Sequence, residues 1–149
     1  MALPQLNSIK YDMTIPSTGQ EIKYRPFVVR EEKVLLTALE SDDAQQISNA
    51  MRDIVEVCTF KSVDVKSLAM FDLELIFLKL RAASVGENAK IALKCKSEEC
   101  KHDNPVDVNL SAVTLKGDPK ANAVVQITDT VGVSLKYPTV LRVEDVLKA

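Results

Sequence analysis

The 149-residue chain has no tryptophan, and aromatic residues make up only 5% of it. Platforms for stacking sugars or bases are therefore poorly supplied. Four glycines are too few to assemble a Gly-rich phosphate loop. The single histidine serves as a general base only if a nucleophile approaches it, and no residue pattern singles out such a partner. A net charge of -2 argues against non-specific nucleic-acid binding, which needs dense positive charge. Long hydrophobic runs are missing as well. The richest stretch, "LAMFDLELIFLKL", carries Asp72, Glu74 and Lys79, and is too short and too charged to span a membrane. The opening "MALPQLNSIK" lacks the apolar core of a signal peptide. Three cysteines make a poor disulfide framework, so the expectation is a reducing cytoplasm and no membrane.

What is present fits an ordinary folded chain. A chain of this length is expected to bury roughly 68–70% of its unfolded surface without staples. Residues 1–10 read as an arm. In "YDMTIPSTGQEIKYRPFVV", Tyr11, Met13 and Ile15 alternate with polar residues, "PSTG" supplies turn chemistry, and Ile22 and Tyr24 resume the alternation. This predicts a β-hairpin, ended by Pro26, which has no N–H to donate.

Three helices are expected next. Residues 31–40 start with Glu31 and Glu32, which suit the positive end of a helix. Residues 41–58 are the most clearly amphipathic. Ser41 or Asp42 would cap them, with Ile47, Ala50, Met51, Ile54, Val57 and Cys58 on one face. Residues 67–86 are apolar around most of the circumference, which implies burial on most sides or cover from another chain. Gly86 ends that helix.

From residue 88 the period becomes two. Strands are predicted over 89–95, 105–110, 123–128 and 131–137, with one covered face and one wet face. Residues after Pro138 form a last helical turn or two. The expected class is α+β: an N-terminal β-hairpin, a three-helix segment, then antiparallel β-hairpins. A soft boundary near Gly86 and Glu87 divides the chain into an N-terminal hairpin plus helical lobe, 1–87, and a C-terminal antiparallel lobe, 88–149. The alternative is one compact domain.

Three groups of residues invite a functional reading. Cys95, Cys100 and His102 lie within eight residues, at a spacing that zinc accepts. A closed site needs a fourth ligand, and Cys58 belongs to a helix core. The competing reading is a polar loop of a hairpin with no cofactor. In "IKYRPFVVREEK", Lys23, Arg25 and Arg30 alternate with Tyr24 and Phe27, either as a wet basic strand or as a rim for an acidic partner. On the apolar helix, Met70, Leu73 and Phe77 are either core or a contact with another subunit.

Three blocks carry a resemblance. "IPSTGQEIKYRPFVVREEKVLLTALES" (15–41), "FDLELIFLKLRAASVGE" (71–87) and "DTVGVSLKYPT" (129–139) resemble, in order, segments of the baseplate hub subunit family of T-even-type contractile-tailed bacteriophages. They cover about half of the chain. The resemblance implies a structural or assembly protein of the tail baseplate, found in the virion or in the host cytoplasm during assembly. Its implied partners are other hub or tail proteins. It brings no catalytic residues with it. The expected function is thus non-enzymatic protein binding, with a zinc-stabilised adaptor as the alternative and a homo-oligomer left open. Arg25→Glu is expected to weaken assembly without lowering the melting temperature.

Overall fold

The computed structural model describes residues 9–97, 100, 102–119 and 123–147. The expected arm is therefore described only at its last two residues. Among the described residues six strands and four helices follow in the expected order, confirming the α+β class.

Strands β1 (Tyr11–Thr14) and β2 (Glu21–Tyr24) form an antiparallel hairpin with Met13 opposite Ile22 and Tyr11 opposite Tyr24. The two tyrosine rings stack at 5.4 Å. Ile15 N–H donates to the Gln20 carbonyl and Gly19 N–H to the Ile15 carbonyl, closing the "PSTG" turn. Gly19 sits at φ 74, a conformation that a β-carbon would disfavour.

Helix α1 (Val29–Glu40) starts two residues earlier than the sequence suggests. Glu31 explains this. Its carboxylate accepts the Val28 N–H at 2.7 Å, tying the third helical residue back to the cap. Helix α2 (Ala44–Cys58) is capped by Asp43, whose side chain accepts the Gln45 N–H at 2.8 Å. Neither Ser41 nor Asp42 fills that role: Asp42 adopts φ 52 in the turn between the helices. The buried face of α2 is also rotated from expectation, with Val55 fully buried and Val57 exposed. Beyond α2, Lys61 N–H donates to the Glu56 carbonyl and Phe60 N–H to the Val57 carbonyl, a paired C-terminal cap. Phe60, at φ 57, occupies the left-handed position that glycine usually takes.

Helix α3 (Met70–Ser84) is the centre of the molecule. Leu73, Ile76 and Leu80 are buried against Ile15, Ile54, Val55 and Cys58. Only Glu74 among its residues is exposed, as its all-round apolar pattern requires. Buried Asp72 accepts the Ser17 N–H at 3.2 Å and so fastens the first hairpin turn to the start of α3.

Strands β3 (Asn88–Lys94) and β4 (Asp103–Asn109) pair antiparallel, and a short 3-10 turn (Leu110–Ala112) brings buried Leu110 back to α3. Strands β5 (Ala123–Gln126) and β6 (Gly132–Leu135) form a third hairpin. Helix α4 (Val140–Leu147) then docks on α3, with Val140 in the core cluster.

One expectation fails here. The two C-terminal hairpins do not have a covered face: Ile91, Leu93 and Val106 are exposed, and so are Val125, Val133 and Leu135. Each hairpin is a separate two-stranded sheet, and no second layer lies across it among the described residues. Alternation establishes sidedness, but it does not supply the cover.

Candidate functional site

The residues proposed from sequence separate into three environments. Tyr24, Phe27 and Leu73 lie inside the chain's own core, at 7%, 8% and 1% exposure. Met70 and Phe77 are half-buried beside that core. Lys23 and Arg30 are exposed, and Lys23 reaches Asp12 across the hairpin at 3.7 Å.

Arg25 is held in place. Its guanidinium donates to Glu31 Oε1 at 2.9 Å and to the Pro26 carbonyl at 2.9 Å, while its own N–H donates to the Cys58 carbonyl at 3.0 Å. It thus joins the end of β2, the start of α1 and the end of α2. The hydrogen bond to Glu31 raises the Arg25 pKa. Burial by itself would raise the Glu31 pKa, but the bonds from Arg25 and the Val28 N–H outweigh it and hold the carboxyl below its ordinary value.

The cysteine cluster does not close into a ligand set. Cys95 N–H donates to the His102 carbonyl at 3.0 Å, which extends the β3–β4 ladder and sets these two residues opposite each other. Cys100 is exposed on the turn. Among the described residues, no three His, Cys, Asp or Glu side chains converge as a metal site. Cys58 is buried in the core, and burial pushes its thiol up to about 11.

Two concavities are notable for their chemistry. A cleft of about 760 Å³ between α2 and the segment after it is lined by Arg52, Asp53, Glu56, Lys61, Asp64 and Lys66. Its three carboxylates are solvated, and no histidine or cysteine joins them, so it offers no nucleophile with a base. A second groove of about 500 Å³ between α2, α3 and α4 is apolar, lined by Ile47, Met51, Met70, Leu73, Val140 and Val143.

A prominent feature of the described residues is exposed apolar side chains. They include Val29, Leu36 and Leu39 on the outer side of α1 and the apolar rows of the C-terminal hairpins. Sequence reasoning missed these rows because it assigned their apolar faces to an interior. The α1 row was also legible, since Val29, Leu36 and Leu39 fall within about 80° of each other on a helical wheel.

No helix among the described residues is long and apolar enough to cross a membrane. A search of the curated proteins finds no match, and a search of the solved structures finds none either. The family model described as T4 bacteriophage base plate protein matches residues 8–148, from the first hairpin to the end of α4. That match covers nearly the whole chain, and the protein belongs to the T4 bacteriophage base plate protein family.

Proposed function

We propose that this chain is a non-enzymatic subunit of the baseplate hub, and that it works by binding other tail proteins through apolar burial. The observation that supports this is the row of exposed apolar side chains, Val29, Leu36 and Leu39, along the outer side of α1. Surface of that kind is costly in an isolated monomer and useful in a subunit. The contact surface starts at Lys23 and Arg30 and runs along Val29, Leu36 and Leu39 of α1, with Met70 offering a second contact in the apolar groove. Tyr24, Phe27 and Leu73 shape that surface from beneath. Arg25 sets the angle between β2 and α1, and Phe77 braces α3.

The test is co-expression with the other hub proteins of the same phage, followed by sizing of the complex. Leu36→Asp with Leu39→Asp should abolish co-migration while the chain keeps its melting temperature within about 2 °C, since both side chains are exposed. Undiminished co-migration of that variant, and of Met70→Asp, would remove the proposal. Zinc in near-stoichiometric amount, lost in Cys100→Ser, would favour the adaptor reading instead.

A further inference from the structure

The β3–β4 hairpin has one open edge and one interrupted edge. The Cys95 N–H donates to the His102 carbonyl at 3.0 Å, and the Leu110 N–H to the Glu87 carbonyl at 2.7 Å. With Lys94 opposite Asp103 and Asn88 opposite Asn109, these two bonds fix the phase of the whole ladder. In an antiparallel pair, residues that bond across the ladder alternate with residues whose N–H and C=O point outward. Ala89, Ile91 and Leu93 therefore bond to β4, and Lys90, Ala92 and Lys94 turn their amides to the outer edge of β3. By the same rule Asp103, Pro105 and Asp107 turn outward from β4. Pro105 has no N–H, so the outer edge of β4 lacks its middle donor. The β3 edge keeps all of its donors. No further strand pairs with it among the described residues, and Lys90 to Lys94 are all exposed.

Charge selects what can add to that edge. Lys90 and Lys94 lie on one face of β3 with Ala92 between them, and Ile91 and Leu93 lie on the other. In β4 they stand opposite Asp107, Asp103, Pro105, Val106 and Asn104 respectively. The hairpin itself thus shows the kind of strand that β3 accepts, one with two carboxylates four residues apart.

We infer that the outer edge of β3 receives an extended strand from a partner protein, carrying carboxylates four residues apart opposite Lys90 and Lys94 and apolar side chains beside Ile91 and Leu93. A second copy of this chain does not fit. Its β3, laid antiparallel about Ala92, would set Lys90 against Lys94 twice. Its β4 would bring Pro105 to a position where a donor is needed. Lysines on a sheet edge keep basic strands away, and they favour an acidic one. The inference stands apart from the α1 surface, which lies on another element.

Nuclear magnetic resonance of the ¹⁵N-labelled full chain tests it, with the capped peptide Val-Asp-Val-Thr-Val-Asp-Val as the probe. The amide signals of Lys90, Ala92 and Lys94 should shift, and their exchange with solvent should slow, with a dissociation constant of about 1 mM or tighter. Ile91 and Leu93 amides, already bonded to β4, should keep their exchange rates. The same peptide with lysine in place of both aspartates should bind at least about tenfold more weakly, since it sets like charges opposite each other. Ala92→Pro should abolish binding, because it removes an outward donor and no bond to β4. Should that variant not fold, Lys90→Gln with Lys94→Gln decides, with an expected loss of at least about fivefold. Signals of β3 unmoved by the acidic peptide, equal binding of the lysine peptide, or protection of another strand edge in place of β3 would each overturn the inference. So would undiminished binding to a folded Ala92→Pro chain or to the double glutamine variant.

Discussion

Arg25→Met should lower the stability of the isolated chain, and the size of the loss follows from the setting of the pair. Arg25 and Glu31 side chains are 17% and 15% exposed, so water screens them little. Exposed pairs are worth about 0–1 kcal/mol, and breaking a fully buried one costs about 3–5. This pair lies between, and a hydrogen bond to a charged group contributes about 1.5–3 kcal/mol, which sets the expected loss. For a chain of this length each kcal/mol moves the midpoint by about 2–4 °C, so the melting temperature should fall by about 3–12 °C. Arg25→Glu should cost more, because it sets two carboxylates against each other. The pair thus reverses the sequence-based expectation that Arg25→Glu leaves melting unchanged.

The sign of the pH dependence is also determined. Glu31 has a folded pKa below its ordinary value. Its contribution is complete above the unfolded pKa of about 4.3 and disappears as pH falls through the lower folded value. Thermal melts from pH 7 down to about pH 3 should therefore show a steeper decline below about pH 4.3 in the parent than in Glu31→Gln. A double-mutant cycle with Arg25→Met and Glu31→Gln should give a coupling of about 1–2 kcal/mol. Coupling near zero, with both single variants melting like the parent, would refute the reasoning.

Further expectations concern single residues. Phe60→Gly should raise the melting temperature by about 1–4 °C, because glycine holds the left-handed cap position freely; the opposing loss is the Lys10 contact over the Phe60 ring. Cys58 should resist alkylation at pH 8 in the native protein while Cys100 labels within minutes, as mass spectrometry of timed samples would show; equal labelling would place Cys58 outside the core. Leu80→Ala should cost about 2–5 kcal/mol in urea unfolding, since Leu80 is fully buried against α2 and the first hairpin; a loss below 1 kcal/mol would mean that α3 is not the centre of the core.

The fold was legible where one element decides its own surroundings. The period-two runs at 11–24 and beyond 88, and the apolar circumference of 67–86, each named an element type that the structure contains. Boundaries moved where a tertiary bond intervened. Glu31 drew α1 back to Val29, and Asp43 displaced Ser41 and Asp42 as the cap because Asp42 turned left-handed. The candidate surface was less legible. Tyr24 and Phe27 alternate with cations in sequence, yet the strand's inward side is the core side, so the aromatic residues are buried and the cations are left at the rim. Arg25 escapes that alternation only because Glu31 lies six residues on, at the start of a helix whose direction the sequence does not state.

The positions of Asp72 and Val140 show how stability and docking divide within the molecule. Asp72 ties the first turn to the head of α3, and the Val140 N–H donates to the Leu68 carbonyl at 3.0 Å just before that head. The chain's two described ends are thereby fastened to the same end of α3, and the core closes there. Between Glu87 and Pro138 the chain leaves α3 twice, as β3–β4 and as β5–β6, and its holds on the body include buried Leu110, the Lys79 bond to the Ser111 carbonyl, and Tyr137 packed edge-on to Phe71 at 4.9 Å. Hairpins anchored at their bases can be charged or unzipped without opening the core. A charge placed on exposed Val133 should therefore leave the stability of the core within about 0.5 kcal/mol of the parent, whereas Leu80→Ala disturbs folding, and the two effects should add without coupling because the sites are far apart in the fold.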